Sequence, residues 1–144
     1  MNLVVNASEA IGDRSGVIAI STGLMECDQA YLREAYVDYD LPPGYFVSLE
    51  ITDTGCGMDV ATQHKLFDPF FSTKSAGHGL GLAAALGIVK AHRGAIRLHS
   101  EPGEGTTFKI LLPASNVEAI AVKDPIPLRY NWQNKKTVLL VDDE

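Results

Sequence analysis

The chain has 144 residues, of which 46% are hydrophobic and 21% are charged, a balance typical of a soluble globular domain with one buried core. Its formal net charge of -6 argues against nucleic acid binding by the surface as a whole, because phosphates would be repelled. No apolar stretch approaches the roughly 20 residues of a membrane-spanning helix, and no signal peptide pattern is present, so we expect a cytoplasmic protein. The contexts of Cys27 and Cys56 favour free thiols over a disulfide or a zinc site.

An amphipathic helix is predicted for residues 2–11, because Leu3 and Ala7 recur on one helical face. The pattern begins at the first residue without a capping residue, so we expect the natural chain to extend upstream. Asn2 and Asn6 are four residues apart, which places their carboxamides on the same face. Amide oxygens are suitable ligands for Mg²⁺, although two exposed helix asparagines would give the same pattern.

Two strands are predicted next, over residues 17–20 and 45–52, separated by a tyrosine-rich polar segment whose role the residues do not indicate. The second strand leads into the turn Asp53-Thr54-Gly55-Cys56-Gly57-Met58. A carboxylate at a strand end can accept a hydrogen bond from an exocyclic amine, and the glycines would let a flat base approach the backbone. A simple Asp-x-Gly turn is the alternative.

An aromatic stretch follows, Phe67-Asp68-Pro69-Phe70-Phe71, and it leads into the small polar residues Ser72-Thr73-Lys74-Ser75-Ala76. Its phenylalanines could anchor a mobile lid. Lys74 could reach a phosphate as a point charge, or it could simply be solvated.

A glycine segment, Gly77-His78-Gly79-Leu80-Gly81, runs into a helix predicted from Leu80 to His92 and ended by Gly94. Glycines before a helix N terminus leave unpaired backbone N–H groups and a dipole that favours an anion, so this segment is a candidate phosphate site. The spacing matches neither the dinucleotide-binding fingerprint nor the Walker lysine motif.

Two more strands are predicted over residues 95–100 and 106–112, joined by the hairpin signal Glu101-Pro102-Gly103-Glu104-Gly105. The order of elements predicts an α/β fold, a two-layer sandwich in which helices cover one face of a mixed, largely antiparallel sheet. After Pro113 the composition is that of a linker over residues 114–135, and a new apolar strand begins in residues 136–144.

Taken in order, NLVVNASEA, DTGCGM, FDPFFSTK and GHGLGLAAA resemble the N, G1, F and G2 boxes of the sensor histidine kinase catalytic domain, which belongs to the ATPase superfamily of gyrase, Hsp90 and MutL. The closing SEPGEGTTFKILLP is similar to the last hairpin of that domain. The resemblance covers residues 2–113 and implies a Bergerat fold over residues 1–113 that binds ATP with Mg²⁺. KKTVLLVDDE resembles the first strand of a response-regulator receiver, which implies a hybrid kinase.

The resemblance also implies roles for individual residues. Asn6 matches the magnesium-coordinating asparagine, and Asn2 matches the polar residue one helical turn before it. Asp53 matches the aspartate that recognises the adenine amine, and Thr107 matches a small polar residue on the strand behind the adenine. The remaining residues expected to contact the nucleotide are Gly55, Gly57, Lys74, Gly77, His78, Gly79, Leu80 and Gly81.

The implied function is transfer of the ATP γ-phosphate to a histidine on an upstream dimerisation domain, and expected partners are that domain and a receiver domain or response regulator. Hydrolysing members of the superfamily carry a glutamate where this chain has Asn2, and a carboxamide cannot act as that base, which favours phosphoryl transfer to a protein. A hydrolytic ATPase of the same superfamily and a degenerate interaction module are the alternatives. No catalytic residue is expected within the chain, because none of its histidines is in a phosphoacceptor context. The four histidines of the chain are His64, His78, His92 and His99.

Overall fold

The computed structural model describes residues 1–36, 40–73 and 79–115, together with the backbone of residues 139 and 140. The strands form one sheet in the order β3-β4-β2-β1-β5, in which β5 is parallel to β1 and the other neighbours are antiparallel. The predicted mixed, largely antiparallel sheet is thus confirmed. The elements are α1 (Asn2–Ile11), β1 (Ile18–Cys27), α2 (Gln29–Arg33), β2 (Gly44–Asp53), α3 (Val60–Lys65), α4 (Gly81–Ala91), β3 (Ala95–Glu101), β4 (Gly105–Pro113) and β5 (Leu139–Leu140).

The main core lies between α1, α4 and one face of the sheet. Leu3 of α1 and Val89 of α4 are buried against Ile51 of β2, Ile96 of β3 and Phe108 of β4. The three sheet residues share a face, because side chains alternate along each strand and cross-strand partners point to the same side. The amphipathic pattern of residues 2–11 therefore predicted α1 correctly, because the apolar side of this helix packs against the sheet.

A short helix, α2, lies in the tyrosine-rich segment, where the sequence predicted no element. The Asp28 carboxylate caps it by accepting a hydrogen bond from the backbone N–H of Tyr31 at 2.7 Å. Leu32 packs with Cys27 and Phe46 in a second buried cluster, on the sheet face opposite the main core. Five residues are too few for a helical period to stand out in the sequence, which is why α2 was missed.

Strand β1 is longer than predicted. Sequence patterning indicated a strand over residues 17–20, whereas all ten residues from Ile18 to Cys27 pair with β2, from Ile18 opposite Asp53 to Cys27 opposite Gly44. Pairing with β2 here overrides weak local propensity, because Gly23 is a poor strand former in isolation.

The end of α4 also differs from its prediction. The helix stops at Ala91, and the residue with a left-handed backbone is Arg93, with φ of 53°, rather than Gly94. A Cβ at Gly94 would lie 2.4 Å from the carbonyl oxygen of Leu111. Gly94 is therefore needed for close approach to β4, and its assignment as the capping glycine was wrong.

Strand β5 pairs with β1 at two positions, Ala19 and Ile20. It falls within the stretch predicted as a receiver strand, whose remaining residues, like most of the predicted linker, lie outside the described part of the chain. Among the described helices the longest is α4, with 11 residues, and none has the length and apolar character needed to cross a bilayer.

Candidate functional site

A cleft of about 590 Å³ opens between α1, the start of α4 and the turn that follows β2. It lies at the end of the sheet where β2 finishes and α4 begins. Seven residues singled out from the sequence line it. They are Asn2, Asn6, Asp53, Gly57, Gly79, Leu80 and Gly81.

Helix α1 supplies one wall of the cleft. Its apolar side is buried in the core, which leaves Asn2, Asn6 and Glu9 along the cleft. The Asn2 carboxamide donates a hydrogen bond to the backbone carbonyl of Gly81 at 3.1 Å, so it ties α1 to the first residue of α4. Asn6, one helical turn further, is half-buried and presents its amide to the same space.

Asp53 is the most deeply buried charged residue described, with 4% of its surface exposed. Its Oδ1 accepts a hydrogen bond from the backbone N–H of Gly55 at 2.8 Å. Burial raises the pKa of the carboxyl above its ordinary value, and hydrogen bonds from the backbone N–H groups of Gly55 and Thr106 partly oppose that rise. The cleft therefore has a buried hydrogen-bond acceptor at its floor.

The turn after Asp53 is hydrogen-bonded to three other parts of the chain. The N–H of Thr54 donates to the carbonyl of Val17, just before β1, at 3.1 Å, and the N–H of Val17 donates to the Thr54 hydroxyl oxygen at 3.0 Å. The N–H of Cys56 donates to the carbonyl of Ala10 in α1 at 3.0 Å, and its carbonyl accepts from Gly103 in the β3–β4 hairpin at 2.7 Å. The shape of this wall is thus determined by the fold.

The two glycines of this turn have different roles. Gly57 has a φ of 64°, and a Cβ there would lie 1.9 Å from the carbonyl oxygen of Glu101, so no side chain fits. Gly55 does not line the cleft as expected. It packs behind the turn, where a Cβ would lie 2.6 Å from the Cβ of Ala10.

The expected contact between Thr107 and the nucleotide is also not supported, because the Thr107 side chain points away from the cleft. Its hydroxyl lies 3.0 Å from that of Thr52 on the opposite face of the sheet. Thr106, which is paired with Asp53 and is 6% exposed, lines the cleft instead. The alternation of β4 could have revealed this only with knowledge of its register against β2.

The wall formed by Gly79, Leu80 and Gly81, called the glycine side of the cleft, follows the aromatic stretch in sequence. The N–H of Phe70 donates to the carbonyl of Gly79 at 3.0 Å, and both residues have positive φ, of 68° and 64°. A Cβ at Gly79 would lie 2.4 Å from the Phe70 carbonyl carbon, whereas a Cβ at Gly81 would be in ordinary contact at 3.6 Å from Asn2. The expected ligand contacts at Lys74, Gly77 and His78 lie outside the described residues.

The described side chains that line the cleft are acidic or uncharged. Among the lining residues that the structure describes, Asp53 and Glu9 carry carboxylates and none is a lysine, arginine or histidine. Within the same described ranges no three His, Cys, Asp or Glu side chains gather as a metal-binding cluster. A hard cation in this cleft would therefore depend on amide and carboxylate oxygens of the walls and on oxygens of its ligand.

The family model described as histidine kinase-, DNA gyrase B- and HSP90-like ATPase matches residues 1–116. Sensor kinase CckA of Brucella abortus is 36% identical over 153 aligned residues, which cover all of this chain and 16% of that protein. Signal transduction histidine-protein kinase AtoS of Escherichia coli is 41% identical over 113 residues, which cover 78% of this chain and again 16% of that protein.

A solved structure of the mycobacterial sensor histidine kinase MprB aligns with a TM-score of 0.56 and 28% identity, over 78% of this chain and 65% of that one. The catalytic domain of histidine kinase ThkA aligns with a TM-score of 0.55, also at 28% identity, and is covered over 61% of its length. The relatives found by sequence and the solved structures are all named as sensor kinases or histidine kinases. The chain belongs to the family of histidine kinase-, DNA gyrase B- and HSP90-like ATPases.

Proposed function

We propose that this chain is the ATP-binding catalytic domain of a sensor histidine kinase, which presents the γ-phosphate of ATP to a histidine on a dimerisation domain of the same protein. The observation that carries the proposal is the buried Asp53 carboxylate at the floor of a cleft whose other walls are an asparagine-lined helix and a glycine-lined helix start. The names of the relatives support it. Because the chain spans 16% of the two curated relatives described above, the reaction of the whole protein belongs to the proposal.

Adenine is proposed to bind against the turn after β2. The Asp53 carboxylate would accept a hydrogen bond from the exocyclic amine, and the turn after it, in which Gly57 lines the cleft, would form the wall beside the base. A guanine presents a carbonyl oxygen at the equivalent position, which a carboxylate would repel. The site should therefore prefer adenine nucleotides.

The phosphates are proposed to lie between α1 and the start of α4. Helix α4 has no side-chain cap at its N terminus, so the N–H groups of its first turn can face an anion. The donor set fits Mg²⁺, because Asn6 offers an amide oxygen and the described walls offer no cation to neutralise a triphosphate. A bound Mg²⁺ would supply that neutralisation. Lys74 and His78 are proposed to approach the phosphates from the lid side.

Phosphoryl transfer rather than hydrolysis is proposed because Asn2 engages the Gly81 carbonyl through its carboxamide and cannot activate water. The protein then contributes positioning and electrostatic stabilisation, and the nucleophile comes from the dimerisation domain. We also infer that residues 1–113 form this domain, that 114–135 are a linker and that 136–144 begin a receiver domain. A receiver domain or a response regulator would accept the phosphate, on the cytoplasmic side.

Calorimetric titration with MgADP tests the adenine assignment. Asp53→Asn should weaken binding about 10-fold or more, because the buried charged acceptor is replaced by a neutral carboxamide. Asp59→Asn is the matched control, since this exposed carboxylate caps α3 by accepting from Thr62 N–H at 2.7 Å and asparagine can cap equally well. Absence of MgADP binding by the unmodified chain would reject the proposal, and steady phosphate release from ATP would favour a hydrolytic ATPase.

The metal assignment is tested by repeating the titration with and without Mg²⁺. Asn6→Ala should remove most of the gain in ADP affinity that Mg²⁺ provides to the unmodified protein. Asn2→Ala should weaken binding in both conditions, because it loosens the start of α4 instead of removing a metal ligand. An Asn6→Ala protein with the full Mg²⁺ effect would contradict the assignment.

A further inference from the structure

A carboxamide of α3 connects the turn that lines the cleft to a strand that is distant in sequence. The Nε2 of Gln63 donates to the backbone carbonyl of Met58 at 3.0 Å and to the backbone carbonyl of Ser100 at 2.9 Å. Both protons of the amide are used in this way. The turn after β2 and the last part of β3 are thereby joined through a single side chain.

The Ser100 hydroxyl completes the connection from the other side. It accepts a hydrogen bond from the N–H of Met58 at 2.9 Å and donates to the carbonyl of Gly105 at 2.9 Å, and it lies 3.0 Å from the Thr106 hydroxyl. Ser100 and Thr106 are 7% and 6% exposed. Both backbone groups of Met58, a residue that lines the cleft, are therefore held by side chains from other elements.

Helix α3 has few other means of holding its place. None of its six residues is buried, and Leu66, which is buried, follows the helix. The aromatic ring of Tyr36 packs on Phe67 with ring centroids 4.8 Å apart, and the Tyr36 hydroxyl lies 3.4 Å from the Gln63 backbone carbonyl. The Gln63 carboxamide is thus the polar link between α3 and the floor of the cleft.

We propose that Gln63 is a positioning residue of the nucleotide site, whose carboxamide sets the orientation of the Met58 backbone and so the wall on which the base lies. The inference rests on the proposed adenine nucleotide function. It adds a residue that contacts no nucleotide itself, because Gln63 acts through Met58 and Ser100. It also extends the base-binding wall from the strand end to α3.

The chemistry of the two acceptors dictates which substitutions preserve the link. Leucine has similar bulk and no donor, so Gln63→Leu leaves the Met58 and Ser100 carbonyls without this partner. Arginine carries several N–H donors and can serve both carbonyls, so Gln63→Arg should preserve the link. His64 is the next residue on α3 and is exposed, which makes His64→Leu a matched control for the helix.

The experiment combines MgADP titration with amide hydrogen exchange measured by NMR on the ligand-free protein. Gln63→Leu should lower ADP affinity about 3- to 10-fold, as expected for loss of about one hydrogen bond's contribution. It should also speed exchange of the Met58 and Gly103 amides, which are bonded to Ser100 and Cys56. Gln63→Arg should restore both properties, and His64→Leu should leave both unchanged.

Three results would overturn the inference. They are unchanged ADP affinity and Met58 exchange in folded Gln63→Leu, failure of folded Gln63→Arg to restore them, or an equal loss in His64→Leu. If Gln63→Leu does not fold, the Gln63→Arg protein decides the matter alone. Failure of the proposed function is distinguishable, because the unmodified chain would then bind no ADP while the Met58 exchange still reports the link.

Discussion

The two sides of the cleft are built in different ways. The turn from Asp53 to Met58 is hydrogen-bonded to the residue before β1, to α1, to α3 and to the β3–β4 hairpin. These bonds use backbone groups and the side chains of Thr54, Ser100 and Gln63. On the other side, Phe70 bonds to Gly79 so that the chain closes on itself, and the described link to α1 is the amide of Asn2 on Gly81. The first wall depends on the whole fold, and the second on a local closure.

This difference indicates that the two walls suit different parts of the nucleotide. A wall held by many hydrogen bonds can present fixed donors and acceptors to a rigid base without reorganising. A wall that is closed by few contacts among the described residues can rearrange around a flexible, charged chain of phosphates and its metal. Substitutions in the turn should therefore cost stability, and those at the glycine side should affect stability less.

The largest effect is expected from Gly57→Ala, which places a Cβ 1.9 Å from the Glu101 carbonyl oxygen at a φ of 64°. The clash and the strained backbone should destabilise the fold by about 3 kcal/mol or more. Gly103→Ala is the matched control, because its φ is 86° but nothing lies within 4 Å of the new Cβ. It should cost only about 1 kcal/mol. Urea unfolding of both proteins measures the difference, and equal losses would show that the turn is less constrained than we infer.

A change in pH should have a smaller effect. Its direction should be opposite for the stability of the fold and for ADP affinity. Burial raises the pKa of Asp53 above its ordinary 3.8, so the folded state favours the protonated carboxyl. This contribution to stability is fully present below 3.8 and is lost as pH rises through the raised pKa. ADP affinity should change the other way, because the carboxylate is the acceptor, and it should fall as pH falls through the same range.

Asp53→Asn separates this titration from that of the nucleotide. The variant should lack both pH dependences of Asp53, so subtracting its unfolding and binding profiles from those of the unmodified protein isolates the carboxyl. A difference in ADP affinity that stays constant across this range would contradict the assignment of Asp53 as a buried acceptor.

The smallest effect is expected from Gly81→Ala. Its new Cβ would meet Asn2 atoms at 3.6 Å, an ordinary contact, and alanine favours a helix over glycine by roughly 0.5 to 1 kcal/mol. The protein should therefore keep its stability or gain slightly, as measured by its unfolding midpoint. A loss comparable to that of Gly57→Ala would mean that the glycine side is as constrained as the turn.

Much of the fold could be predicted from local patterns. The spacing of Leu3 and Ala7 predicts α1, the alternation in residues 45–52 predicts β2, and the glycines before α4 predict a helix start open to an anion. Asp53 could be placed at a strand end for the same reason. Each of these inferences needs only a few neighbouring residues, because helical and strand periods are local properties of the chain.

Which residues line the cleft depends on contacts between segments that are distant in sequence. Thr106 rather than Thr107 lines it because the pairing of Asp53 with Thr106 sets which side chains of β4 face the helices. Gly55 lies behind the turn, and Gln63 reaches Met58 and Ser100, for similar reasons of tertiary placement. The sequence alone determined most of the elements and the chemistry they carry, because periodicity and turn residues act locally. Only the tertiary structure decided which side chains meet, because strand register and packing join residues that no local pattern relates.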